Sequence, residues 1–283
     1  MTDRQLIVNA DDFGLSQSIN QGILESHRRG IVTSTTVLAN GRAFEQGMEL
    51  LKSTPGLGVG VHLNVLRGPP LLDPAELPEI TRQGRLYLSW KRLPVALFRR
   101  ERLQIEREYR AQIERVLAQG IPVTHLDGEK HHQQFPPLFS LVLRLAESYR
   151  IPALRCAMET PTLQHGLTKM VKVSMLNLMI WSNLRRLPHG PIRHADHQTG
   201  IAMTGNMQPL HLEQTLRTLS PGIHELCCHP GRVDATHRLE TRDFGSFYID
   251  STREAELAIL TAPSIRQALQ DADIRLISYA HLS

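Results

Sequence analysis

Short apolar and β-branched runs alternate along this chain with longer stretches whose apolar positions recur every three to four residues. The runs begin near Leu6, Val32, Leu57, Pro122, Ala153, Ile192, Ile223 and Ile274. The stretches between them cover about 16–29, 41–53, 90–119, 136–149, 167–187, 209–219 and 252–270, several closed by Gly or followed by Pro as helices are. Strand and helix in alternation predict βαβ units around a parallel sheet, and seven or eight strands is the number that makes a barrel. The pattern breaks once, at residues 67–90, where Pro69, Pro70, Pro74 and Pro78 interrupt any regular element. That stretch reads as an excursion after the third strand, on the face where strands end and substrate sites lie.

Composition narrows this without changing it. The 283 residues, 41% of them hydrophobic, suit one large α/β domain spanning 1–283. A net charge of +4 with scattered Lys and Arg does not form the basic stripe of a nucleic-acid binder. The opening "MTDRQLIVNADD" lacks a basic segment followed by an apolar run, so a cytoplasmic location is expected. Cys156, Cys227 and Cys228, odd in number and two of them adjacent, are expected as reduced core thiols.

The chemistry lies in what the strands end with. The first ends in Asp11 and Asp12, the third in His62, and the fourth in "THLDGEKHHQQFP" with His125, Asp127, Glu129, His131 and His132. The sixth is expected to end in Asp196 and His197, the seventh in His229. In a barrel all would converge on one rim. Two His and one carboxylate with open positions form a common catalytic metal site, and a second carboxylate beside them can take a proton from water acidified by the ion. A cation also offsets the repulsion between Asp11 and Asp12, and a turn allowed by Gly14 lets both point to one place, so that one acid binds and the other acts as base. Plainer readings stand beside this. The two acids can open a turn before a helix capped by Ser16, His62 can be a core histidine, Glu129 and Lys130 can be solvated loop residues, and His229 can anchor its loop.

"VNADDFG", "GVHLN", "THLDGEKHHQQFP" and "ELCCHPG", in this order, resemble the four signatures of the YdjC family of carbohydrate deacetylases, which includes chitooligosaccharide deacetylases and hopanoid-associated HpnK proteins. The resemblance runs from residue 6 to about 232. It implies a distorted (β/α) barrel and one divalent metal ion, Mg or Zn, held by Asp12, His62 and His131. It also implies Asp11 as catalytic base and His229 as general acid, in the hydrolysis of the N-acetyl group of an amino sugar. The chain departs from the family's alternating "HxHxH", with Glu129, His131 and Gln133 in those places, which leaves His132 as a substitute ligand. The competing functions are hydrolysis of another bond, such as a phosphoester, and non-catalytic sugar binding.

Residues 167–190 combine Met170, Val171, Met175, Leu176, Leu178, Met179, Ile180 and Trp181 with Lys169, Lys172, Arg185 and Arg186. The apolar run is too short to span a bilayer. A barrel helix packing its Met and Leu inward is the ordinary expectation. The alternative is a helix at a membrane surface or along a lipid-accepting groove, which would suit a glycolipid substrate such as a hopanoid head group. The expected partners are thus a small-molecule carbohydrate or glycolipid, no nucleic acid, a peripheral membrane contact, and a second copy in a homodimer.

Overall fold

A computed structural model describes residues 4–187, 192–233 and 243–282; residues 188–190 of the basic-flanked segment lie outside them. Eleven strands are present among the described residues. They are β1 (Arg4–Phe13), β2 (Ser34–Val37), β3 (Gly58–Leu63), β4 (Thr81–Arg82), β5 (Arg85–Leu86), β6 (Val123–Gly128), β7 (Ala153–Leu154), β8 (Met158–Glu159), β9 (His197–Thr199), β10 (Gly222–Cys228) and β11 (Ile274–Ile277). The helices are α1 (Gln17–Arg29), α2 (Phe44–Lys52), α3 (Arg99–Leu117), α4 (Pro136–Tyr149), α5 (Leu167–Leu184), α6 (Pro209–Arg217), α7 (Thr252–Leu260) and α8 (Pro263–Asp271). Ser16 caps α1 as expected, its Oγ accepting the Ile19 N–H at 3.2 Å.

Eight parallel strands follow one path, β7-β6-β3-β2-β1-β10-β9-β8, and β11 pairs with the start of β1 on the edge that β2 takes over further along. The strands β7 and β8 lie at opposite ends of that path, yet only residues 155–157 separate them in the chain. Three residues reach about 10 Å, so the sheet must curl until its ends approach. A bridge between Ala153 and Arg193 helps to hold them there. This is the α/β barrel expected from the pattern, distorted by that short joint. Two details differ. Near Ile192 there is only the single bridge at Arg193, β9 starting at His197, and the two-residue β8 escapes notice because it is too short to carry a period.

The excursion at 67–90 holds the antiparallel β4–β5 hairpin and buries Leu77, Ile80, Leu86 and Leu88. The three cysteines are free and buried. Inside the curl the layer is polar. His125 stacks on Tyr279 with ring centroids 3.8 Å apart, and Gly60 permits it, since a Cβ there would meet the His125 ring at 2.5 Å. The expected inward packing of α5 is met only in part: Val173, Leu176 and Ile180 are buried, whereas Met175 and Leu178 are more than 60% exposed. No helix among the described residues is long and apolar enough to cross a membrane.

Candidate active site

The C-terminal ends of β1, β3, β6 and β10 open on a pocket of about 340 Å³ lined by Asp11, Asp12, His62, Arg67, Glu129, Lys130, His131, Lys172, Thr204, His229, Phe247 and Tyr248. Side chains of successive strand residues normally face opposite ways. Asp11 and Asp12 share the pocket because Asp12 itself takes φ +75°, where the β1–β2 register slips between Ala10 and Phe13. Gly14, at φ +90°, continues that turn. His131 and Lys130 also have positive φ, +58° and +52°. Such backbone in non-glycine residues costs on the order of 1–3 kcal/mol and persists where the surroundings over-determine it.

Two halves can be distinguished. In the first, Asp12 Oδ1 lies 3.7 Å from His62 Nε2. His62 and Asp127 are register partners on β3 and β6, and the His62 Nδ1 is 2.7 Å from Asp127 Oδ1. That bond leaves Nε2 facing Asp12 and the pocket, the arrangement in which a carboxylate fixes the tautomer of a metal-binding histidine. Burial opposes charge on His62, but the Asp127, Asp11 and Asp12 carboxylates outweigh it and raise its pKa to about 9. Arg253 Nη2 donates to Asp12 Oδ2 at 2.5 Å, leaving Oδ1 as the free oxygen. His131 lines the same pocket, and burial, aided by the Arg155 charge, holds it well below the usual histidine range as a neutral imidazole.

In the second half, His229 Nε2 stands 3.8 Å from Asp11 Oδ2. The His229 backbone N–H donates to Glu256 Oε2 at 2.6 Å, which fixes the start of its loop. Arg155 grips Asp11 with both terminal nitrogens, at 2.7 and 2.8 Å, and reaches Asp127 at 2.5 Å and Glu225 at 2.7 Å. Burial would push the Asp11 pKa up; the Arg155 guanidinium wins and holds it well below the carboxylate range.

The expected rim residues do not all arrive. His125 is a core residue on Tyr279, away from the pocket. His132 is turned away, its Nδ1 at 2.8 Å from Glu129 O and its Nε2 bonded to the Tyr109 hydroxyl, so it is no substitute ligand. Asp196 and His197 stand at the beginning of β9, not at its end. Asp196 accepts the Ile223 N–H and His197 stacks on His224, far down the strand from the rim. Glu129, expected as a solvated loop residue, is 2% exposed, with Arg67 Nε at 2.8 Å and the Tyr248 hydroxyl donating at 2.9 Å. Lys130 is exposed at the pocket mouth.

Sequence reasoning missed Arg155, Arg67, Arg253, Tyr248 and Glu256. Only Arg155 left a signal, a lone guanidinium inside the apolar run "IPALRCA". Carboxylate and imidazole atoms of Asp11, His62 and Asp127 lie within 4.8 Å of one another, as do ligand atoms of Asp11, Cys227 and His229. Arg155 already binds Asp11 and Asp127, so the first group is neutralised from within. Asp12 Oδ1, His62 Nε2 and His131 line the same pocket outside these groups, and they are an oxygen and two imidazoles of the kind that bind a divalent ion, His62 giving up its proton to do so. Buried atoms without a hydrogen-bond partner, Glu129 Oε2, His229 Nδ1 and Arg253 Nη1, belong to residues in or against this pocket.

The chain is 33% identical to a carbohydrate deacetylase of Brevibacillus brevis over 283 residues, covering 98% of this chain and 99% of that one. It is also 33% identical to a chitooligosaccharide deacetylase of Klebsiella pneumoniae over 290 residues, covering 98% of each. A crystal structure from Enterococcus faecalis V583, described provisionally as a cellobiose-phosphate cleavage protein, shares the fold with a TM-score of 0.76 at 24% identity, over 99% of both chains. The family model described as "YdjC-like protein" matches residues 5–271, which takes in every strand end that lines the pocket, and the chain therefore belongs to the YdjC-like family.

Proposed function

We propose that the chain is a cytoplasmic, divalent-metal-dependent carbohydrate deacetylase that hydrolyses the N-acetyl group of an amino sugar, either in a chitooligosaccharide or in a glycolipid head group. The observation that carries this reading is that Asp12, His62, His131, Asp11 and His229 line one pocket, with Asp12 3.7 Å from His62 and Asp11 3.8 Å from His229. The relatives named carbohydrate deacetylase and chitooligosaccharide deacetylase support it. A bound Mg or Zn ion would polarise the amide carbonyl and acidify a water.

The chain's own residues do the rest. Asp11, kept ionised by Arg155, accepts the proton of the attacking water as its oxygen bonds to the acetyl carbon. His229, across from it at 3.8 Å, gives a proton to the nitrogen as the C–N bond breaks, since an amine leaves poorly as an anion. Acetate and a free amino sugar result. Asp127 fixes His62 through Nδ1 and leaves Nε2 toward the pocket, and Arg253 holds Asp12 through Oδ2, so that Nε2 and Oδ1 would be the atoms left to hold the ion.

Equilibrium dialysis against Zn²⁺ or Mg²⁺ tests the ligand half directly. Wild type should bind about one ion per chain, and Asp12→Ala and His62→Ala should each weaken binding by about 10-fold to 100-fold or more. Full affinity in both variants would place the ion elsewhere.

A further inference from the structure

On α5 the residues Leu167, Val171, Met175, Leu178 and Trp181 recur at spacings of four, four, three and three, which is one face of a helix, and they are between 46% and 68% exposed. Among the described residues, twelve large apolar side chains are exposed, and nine lie on α5, on Leu163 before it, or at Leu97, Phe98 and Leu103. These segments adjoin. Leu97 and Arg186 wall one cleft of about 710 Å³, and Trp90 faces Val171, Met175 and Met179 across a groove of about 340 Å³. Contiguous exposure of this kind marks an interaction surface, whereas scattered single residues do not.

Charge says what the surface meets. From residue 160 to 195 there is no Asp or Glu, while Lys169, Lys172, Arg185, Arg186 and Arg193 are basic. Arg99, Arg100 and Arg102 add to this at the start of α3, against Glu101 alone. The Arg185 guanidinium lies 3.8 Å over the Trp181 ring, joining an aromatic anchor to a cation. Apolar side chains along a helix, a Trp, and a basic fringe free of acids are the composition of a helix lying in a lipid interface. A second copy of the chain, paired about a two-fold axis, would set this acid-free stretch against itself.

We propose that this face rests on an anionic lipid surface, with α5 along the plane, its exposed apolar residues at the boundary of head groups and acyl chains, and the Lys and Arg residues among the phosphates. Lys172 borders both the apolar groove and the catalytic pocket, so the pocket mouth opens beside the lipid-facing helix. The docking stands whether or not the pocket performs the reaction assigned to it.

Vesicle flotation of the full chain tests it. Vesicles containing phosphatidylglycerol should carry the protein upward, vesicles of phosphatidylcholine alone should carry at least about tenfold less, and added salt should release part of it. The double variant Met175→Glu, Leu178→Glu should lose flotation by about tenfold or more while keeping the wild-type thermal midpoint, because both side chains are exposed. The proposal is overturned if wild type floats with neither vesicle, or if the double variant floats as well as wild type. A wild-type dimer that the double variant splits, with no lipid binding, would assign the face to a second copy instead.

Discussion

At Asp12 the backbone leaves the strand region, and that one φ of +75° lets two adjacent carboxylates enter one pocket and face different partners. Asp12 offers an oxygen toward His62, while Asp11 sits in the grip of Arg155 with His229 before it. Replacing Asp11 with Asn removes the proposed proton acceptor and keeps the shape. Turnover should fall by about 10²- to 10⁴-fold, with metal content unchanged. Retained turnover would show that Asp11 holds Arg155 in place and accepts no proton. The pair was legible in the sequence because acids, histidines and strand ends coincide at Asp11, Asp12, His62, His131 and His229. Glu129 was misread because "GEKHH" has the composition of a solvated loop, and nothing local announces that Arg67 and Tyr248 arrive to bury it.

Among the elements, β8 and β9 show what a period cannot reveal. The two residues of β8 carry no alternation, yet Glu159 at its end is 7% exposed and accepts the N–H groups of Ile201 and Ala202 at 2.7 and 2.9 Å. It thereby anchors the loop that brings Thr204 to the pocket. Burial lifts the Glu159 pKa from 4.5 to about 7, against the pull of those N–H groups and of Lys172 and Lys169. The folded state therefore binds this proton more tightly than the unfolded chain. The associated stability is present in full below about pH 4.5 and is lost as pH rises through about 7. Denaturant melts of wild type and Glu159→Gln at pH 5 and pH 8 should differ, the variant gaining relative to wild type by on the order of 3 kcal/mol at the higher pH. Parallel pH profiles would mean that Glu159 titrates normally. Helix α5 was also half legible. It is apolar on two faces, and a pattern alone does not say which one the barrel covers.

For the whole molecule, the decisive feature is the three-residue joint between the ends of the sheet. Arg155 stands in it and ties β1, β6 and β10 together through Asp11, Asp127 and Glu225, with the Tyr279 hydroxyl closing the set on Glu225 at 2.5 Å. These partners lie up to 144 positions away in the chain, so the alternation of strands and helices predicts the barrel but not its charged interior. Replacing Arg155 with Met leaves three buried carboxylates facing one another. Denaturant unfolding should show a loss of about 3 to 5 kcal/mol, and a loss under 1 kcal/mol would contradict the central role given to this guanidinium. The same closure brings the two halves of the pocket together, and the proposed reaction depends on both. The most direct test is acetate release from N-acetylated substrates, from diacetylchitobiose to a glucosaminyl glycolipid, by metal-stripped protein before and after a divalent ion is restored. Release that appears only with the ion, matched by an equal yield of free amine, is the predicted result; silence on every substrate while the ion is demonstrably bound would contradict the account.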